Sequence, residues 1–181
     1  MRVIAGTAKG TRLKTPSGDL TRPTSDRVKE AVFSILQFEI EGSRVLDLFA
    51  GTGQMGIEAL SRGASHAVFV DSRKDACKLV AENIRLSKFG HCAKVVQSDY
   101  LAYLDRTDEI FDLIILDPPY AEEFLENSLK RISEIDILSD RGIIMCERPS
   151  DKALNVAFDG ITRTKDYRYG KTWITIYRKT T

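Results

Sequence analysis

The sequence is poor in the residues that bind metals, cross-link secreted domains or span membranes. Its three cysteines, Cys77, Cys92 and Cys146, are odd in number and form no C-x-x-C pair. Its two histidines, His66 and His91, do not join them at metal-ligand spacing. No metal site is therefore expected, and reduced thiols in a cytoplasmic setting fit the cysteine usage. No apolar run approaches the ~20 residues of a membrane helix. Met1-Arg2-Val3-Ile4-Ala5-Gly6 holds no signal-peptide core, so no membrane partner is expected. Repeats, low-complexity segments and linkers are missing too. What remains is 181 residues of ordinary globular composition, enough for one domain with a sizeable core.

Net charge is also nearly absent, at +1, but it is unevenly spread. Residues 1–30 hold seven Lys/Arg against three acids, and residues 161–181 hold six against Asp166 alone. The middle of the chain is correspondingly acidic. Basic ends around an acidic centre suit a polyanionic partner if both ends reach one face. Solvated lysines on scattered faces would give the same counts.

The richest stretch is Val45-Leu46-Asp47-Leu48-Phe49-Ala50-Gly51-Thr52-Gly53. A short apolar run that stops at glycines reads as a buried strand entering a tight turn. Helix formers follow from Gln54 to Arg62, with Gly63 at the stop. Strand, turn and helix in this order make the ligand-binding corner of an open α/β sheet. Gly51, Gly53 and Gly56 satisfy G-x-G-x-x-G, and Asp71 stands 20 residues after Gly51, where a dinucleotide site places its ribose-binding acid. A nicotinamide or flavin site is thus one reading. Asp47, at the end of the same strand, favours another: a carboxylate there would repel a diphosphate and suits the ammonium and sulfonium groups of S-adenosylmethionine. A plainer role for Asp47 is to cap a neighbouring turn.

From residue 44 onward strands and helices alternate: strands over 44–49, 67–71, 93–97, 111–117 and 142–146, helices over 54–62, 73–87, 100–106 and 122–132. This is the pattern of a parallel doubly wound sheet. Residues 161–168 and 172–179 read as a closing hairpin around Tyr169-Gly170-Lys171. At the other end, residues 2–5 and 11–14 read as a small basic hairpin. A helix opens near Thr24, Ser25 and Asp26 and carries Val28, Ala31, Val32, Ile35 and Leu36 at helical spacing.

The fourth strand ends in Asp117-Pro118-Pro119-Tyr120. Each proline pushes the preceding residue into an extended form and supplies no N–H. The Asp117 carboxylate and the Pro118 carbonyl can then face outward as two acceptors, beside the Tyr120 ring. Two acceptors and an aromatic face match a planar group bearing an NH2. A rigid strand-to-helix turn with no ligand is the bland alternative. In the joined picture Asp47 and the backbone of Gly51 and Gly53 face the methionine part of a cofactor, and Phe49 also belongs to the cofactor site. Asp71 takes the ribose hydroxyls, and Asp99 and Tyr100 border the adenine.

These residues resemble a known family. Asp-Pro-Pro-Tyr after strand four is the amino-methyltransferase motif, and the chain is similar to the bacterial RsmD family from end to end. The matches are Met1 to Gly6, Thr21-Arg22-Pro23-Thr24-Ser25-Asp26-Arg27-Val28, Val45 to Gly53 with Gly56 to Gly63, Asp117 to Tyr120, and Tyr169-Gly170-Lys171-Thr172. The resemblance implies a Rossmann-like class I methyltransferase fold with seven strands, the last antiparallel. It forms a single domain over residues 1–181, in which 1–20 are a basic hairpin extension and 21–181 the catalytic core. It also implies methylation of the exocyclic N2 of a guanine in 16S ribosomal RNA, free or in the small ribosomal subunit. S-adenosylmethionine would be the cofactor and S-adenosylhomocysteine the product. Asp117, Pro118, Pro119 and Tyr120 would be catalytic, in a protein expected to be a monomer. Gln54-Met55 depart from the expected Ala-Leu, and Asp71 stands where Glu is commoner. Arg2, Lys9, Arg12, Lys14, Arg22, Arg27, Arg168 and Lys171 are expected to hold the RNA backbone.

Four rivals stay open. A DNA adenine-N6 methyltransferase shares the motif, but no insertion is large enough for a DNA-reading domain. A glutamine-N5 methyltransferase would more often carry Asn at position 117. A dinucleotide oxidoreductase and a non-catalytic RNA-binding module complete the set.

Overall fold

The alternation of apolar residues along each strand sorts the core into two layers with a sheet between them. The computed structural model describes residues 1–16, 26–119, 122–149 and 154–180. In chain order the elements are α1 (Asp26–Ile35), β1 (Arg44–Asp47), α2 (Gln54–Ser61), β2 (His66–Asp71), α3 (Lys74–Leu86), β3 (Ala93–Gln97), α4 (Tyr100–Leu104), β4 (Phe111–Leu116), α5 (Glu122–Ile135), β5 (Leu138–Pro149), β6 (Ala157–Phe158), β7 (Ile161–Tyr169) and β8 (Thr172–Lys179). Val45, Phe69, Leu113, Ile115, Met145 and Ile174 pack against Val32, Phe33, Ile57, Leu60, Val80 and Ile84 of α1, α2 and α3. Their neighbours Leu46, Val68, Ile114, Ile144 and Tyr177 pack against Leu104 of α4 and Leu125, Leu129 and Ile132 of α5. Successive strand residues point to opposite faces, so a strand covered on both faces is apolar throughout.

The sheet order is β3-β2-β1-β4-β5-β8-β7-β6. The five strands from β3 to β5 are parallel to one another, β8 runs antiparallel to β5, and β7 runs antiparallel to β8. The seven expected strands are all present, with β8 inserted antiparallel between β5 and β7. The eighth, β6, is a two-residue strand paired with β7 and too short to leave a pattern in the sequence. β5 is longer than expected, because it begins with Leu138 opposite Phe111 before a register shift. The chain order reverses between β1 and β4. In such sheets the crevice at that switch point, outside the carboxyl ends of the strands, is where ligands bind.

The N-terminal hairpin is less regular than expected. Only one bridge joins its two arms, Arg2 to Arg12, and it stands apart from the main sheet. Backbone hydrogen bonds from Val3 to Thr11, Gly10 to Val3 and Leu13 to Met1 join the arms, and contacts with α2 fix the hairpin to the body. Ile4 N–H donates to Glu58 Oε2 (2.8 Å), Ala5 N–H to Glu58 Oε1 (3.0 Å) and Ala8 N–H to Ser61 Oγ (3.0 Å). Glu58 is fully buried, as is Lys29, whose ammonium lies 3.7 Å from Glu58 Oε2 and donates to the Arg2 carbonyl at 2.6 Å. Arg62 Nε completes the group at 2.9 Å from Glu58 Oε1. Burial lowers the Lys29 pKa, and Glu58 opposes that shift.

Candidate active site

Four aspartates stand at the carboxyl ends of four adjacent strands: Asp99 after β3, Asp71 at the end of β2, Asp47 at the end of β1 and Asp117 after β4. The pairing sets their depths. Asp47 is level with Phe69 and Ile115, so Asp71 and Asp117 each sit two residues farther out. At ~3.3 Å per residue that is roughly 7 Å. Asp47 is therefore the floor of the corner and the other two are its walls.

Asp47 is 2% exposed. It accepts the Gly56 N–H at 3.0 Å, which ties the start of α2 to β1. Burial pushes its pKa up from 3.8 to about 7, the Gly56 hydrogen bond opposes the rise, and Asp117 and Asp71 add to it. Among the described residues, the charged groups acting on this carboxyl are thus both acids. The plainer expectation for Asp47, a capping role, holds for one hydrogen bond but does not account for an acid placed between two acids.

The turn itself follows from the glycines. Gly53 is the left-handed residue before α2 (φ 77°), a conformation that glycine adopts without steric cost. Gly56 packs so closely on β2 that an added Cβ would lie 2.3 Å from Phe69 Cε1. Over Gly51 the space is open, since a Cβ there would meet only the Phe49 carbonyl, at 4.0 Å. Asn83 fixes the turn from behind by donating to the Thr52 carbonyl at 2.9 Å and to the Lys14 carbonyl at 3.1 Å.

Asp71 accepts the Gly51 N–H on Oδ2 (3.0 Å) and the Arg73 N–H on Oδ1 (2.9 Å), so it braces the glycine turn from the neighbouring strand. Asp99 caps α4 through Leu101 and Ala102 N–H. Tyr100 is buried in a ring cluster with Phe49 (centroids 5.2 Å apart) and Phe124 (5.3 Å), and this cluster walls one side of the corner. Asp117 and Pro118 are half-buried and Pro119 is exposed. Tyr120 and Arg22 lie outside the described residues.

The expected RNA-binding residues divide. β8 begins opposite Pro149 at the carboxyl end of β5, so the β7–β8 turn with Arg168 and Lys171 reaches past the level of Asp117 on the same edge of the sheet. Both are exposed. Lys14, Arg2 and Arg27 are exposed on the side of α1 and α3. Lys14 pairs with Glu82 (2.8 Å) and Arg2 with Asp26 (3.4 Å). Arg12 is exposed opposite Arg2. Lys9 is at the hairpin tip, beyond the contacts of Thr7 and Ala8 with Ser61, at the end of α2 away from the glycine turn. The structure does not bring Lys9 to the corner.

Two structural features could not be read from the sequence. One is the Glu58–Lys29–Arg62 group, since Glu and Lys in amphipathic helices look like surface charge. The other is Gln54, 8% exposed at the first position of α2, whose Oε1 is buried without a hydrogen-bond partner. Among the described residues no group of His, Cys, Asp and Glu is arranged to hold a metal ion, and no helix is long and apolar enough to cross a membrane.

Comparison with known proteins decides the family. A family model described as "Conserved hypothetical protein 95" matches residues 1–178. The Ribosomal RNA small subunit methyltransferase D of Escherichia coli K12 is 31% identical over 154 residues, covering 85% of this chain and 77% of that protein. The chain belongs to the RsmD family. A Bacillus subtilis relative, YlbH, named provisionally as an rRNA methyltransferase, is 39% identical over 182 residues and 99% of both chains. Among solved structures, Escherichia coli yhhF, named provisionally as a methyltransferase, superposes with a TM-score of 0.89 at 28% identity, covering 99% of this chain and 97% of that one. The fold of this family member is accordingly the Rossmann-like class I methyltransferase fold, with its antiparallel C-terminal edge.

Proposed function

We propose that this member of the RsmD family transfers a methyl group from S-adenosylmethionine to the exocyclic N2 amine of a guanine in small-subunit ribosomal RNA. The observation that carries the reading is the acidic corner: Asp47 buried at the switch point, with Asp71 and Asp117 both raising its pKa. A diphosphate would be repelled there, and a ligand bearing positive charge is stabilised. The open space over Gly51 and the acceptor-rich lining fit adenosylmethionine.

Adenosylmethionine supplies an electrophilic methyl group on a positively charged sulfur. The chain's own residues do the rest. Asp47 and the backbone of Gly51 and Gly53 hold the methionine part, Asp71 takes the ribose, and Asp99, Tyr100 and Phe49 border the adenine. Asp117 and the Pro118 carbonyl accept the N–H groups of the incoming amine. The guanine N2 lone pair is delocalised into its ring, so these bonds favour attack and stabilise the charge developing on nitrogen. Fixing the amine beside the methyl group contributes an effect on the order of 7–11 kcal/mol in well-oriented systems. The target base leaves its stack to enter, and Tyr120 offers a ring in exchange. Arg168 and Lys171 hold the RNA backbone, contacts that position the partner without reading its sequence. A cytoplasmic monomer acting on 16S RNA, free or in the small subunit, completes the reading.

Ribosomal RNA or small-subunit particles from cells lacking the gene, incubated with the protein and labelled adenosylmethionine, should yield N2-methylguanosine on nucleoside analysis. Labelled N6-methyladenosine, or no labelled nucleoside, would contradict the assignment.

A further inference from the structure

Two buried polar atoms among the described residues have no hydrogen-bond partner, Gln54 Oε1 and Trp173 Nε1. Gln54 is the one beside the acidic corner. It is the first residue of α2, immediately after the left-handed Gly53, and no side chain caps the helix at Gly53. Side chains on a helix tilt towards its N-terminus. The Gln54 side chain therefore starts out towards the carboxyl ends of the strands, where Asp47 accepts from the Gly56 N–H in the first turn of the same helix. Gln54 shares its helix face with Glu58 and Ser61, at i+4 and i+7. Those two are taken up by the N-terminal hairpin through Ile4, Ala5 and Ala8. The hairpin's hydrogen bonds stop short of Gln54 Oε1.

A buried acceptor without a donor weakens a fold, because it has given up water for nothing in return. At a position next to an acidic floor, the donor that would satisfy it is a cationic N–H. Resting on the methyltransferase reading, we propose that Gln54 is a cofactor-binding residue of this chain whose side-chain carbonyl, buried and unpaired without ligand, turns outward to accept a hydrogen bond from the α-ammonium group of adenosylmethionine. The same group is present in S-adenosylhomocysteine and absent from 5′-methylthioadenosine, which keeps only the adenosine and the thioether.

Those two ligands make the test. Calorimetric titrations compare the wild-type protein with Gln54→Met, which keeps the volume and removes the polar atoms, and with Gln54→Ala. S-adenosylhomocysteine should bind the variants roughly tenfold more weakly, the size of one hydrogen bond to a charged group. 5′-Methylthioadenosine should bind all three proteins equally. The ligand-free melting temperature of Gln54→Met should equal or exceed that of the wild type, since an unsatisfied acceptor has been removed, whereas a merely structural glutamine would lower it. Unchanged S-adenosylhomocysteine affinity, or equal losses for both ligands, would overturn the role of Gln54 and leave the methyltransferase reading standing. A wild-type protein that binds neither adenosyl compound would overturn both.

Discussion

Two carboxylates are buried around helix α2, and their surroundings differ. Glu58, in its second turn, accepts two backbone N–H groups from the hairpin and the Arg62 side chain, with the Lys29 ammonium close by. Asp47, beneath the helix start, accepts one N–H and is flanked by two further acids. A buried charge is tolerable when it is paired and hydrogen-bonded. By that standard Glu58 is complete within the chain, and it clasps the hairpin to the body. Asp47 is incomplete, and its carboxyl is held up to about 7 by burial. The difference separates a carboxylate that serves the fold from one that is set to receive a partner.

Breaking the clasp should have the largest effect. Glu58→Ala leaves Lys29 buried without its counter-charge, which costs about 3–5 kcal/mol in comparable pairs. The melting temperature should fall by roughly 6–20 °C for a chain of this size. Asp47→Asn keeps an acceptor for the Gly56 amide and removes the raised carboxyl. A raised pKa stabilises the fold below the ordinary 3.8, and that contribution is lost as pH rises through about 7. The variant should therefore match or exceed the wild-type melting temperature at pH 8. Equal thermal losses at both positions would erase the distinction.

Asp117 sharpens the comparison from the other side, as an acid of the corner assigned to chemistry and not to cofactor binding. Asp117→Ala should reduce single-turnover methylation by roughly 10²–10³-fold, the usual effect of losing one transition-state hydrogen bond. S-adenosylhomocysteine affinity should change less than twofold. Unchanged turnover would remove Asp117 from the mechanism.

The smallest effects belong to the basic surface. Replacing Arg168 and Lys171 with alanine should raise the KM for the RNA substrate. It should also reduce the salt slope of binding by about 0.7 for each single-strand phosphate that is no longer neutralised. Lys9→Ala should do neither, because the hairpin tip points away from the corner. A KM that rises for Lys9→Ala and not for the C-terminal pair would place the RNA path on the opposite end of α2.

The sequence makes the corner legible because its parts are local: glycines that must turn, an acid at a strand end, prolines that fix an exit. The parallel sheet was legible in the alternation of strands and helices, whereas the two-residue β6 left no trace. The clasp was illegible for a physical reason. Lys29 lies among the apolar positions of α1 and Glu58 within the run after the glycine turn, and nothing local distinguishes a buried charge from a solvated one. Their roles arise when the hairpin, 53 to 54 residues away in sequence, supplies the N–H groups. The unequal placement of Lys9 and Lys171 was likewise hidden, since counts of charge carry no direction.

The central claim is that the corner holds a positively charged adenosyl ligand and excludes a diphosphate. Calorimetric titration of the wild-type protein with adenosylmethionine and with NADH, from pH 6 to 8 and in buffers of different ionisation enthalpy, tests it directly. Adenosylmethionine should bind with affinity that rises with pH up to about 7, and with heats that depend on the buffer, because binding expels the proton from Asp47. Asp47→Asn should bind more weakly and lose the part of the buffer dependence that the ligand's own titration does not explain. Binding of NADH, with no heat from adenosylmethionine at any pH, would contradict the account.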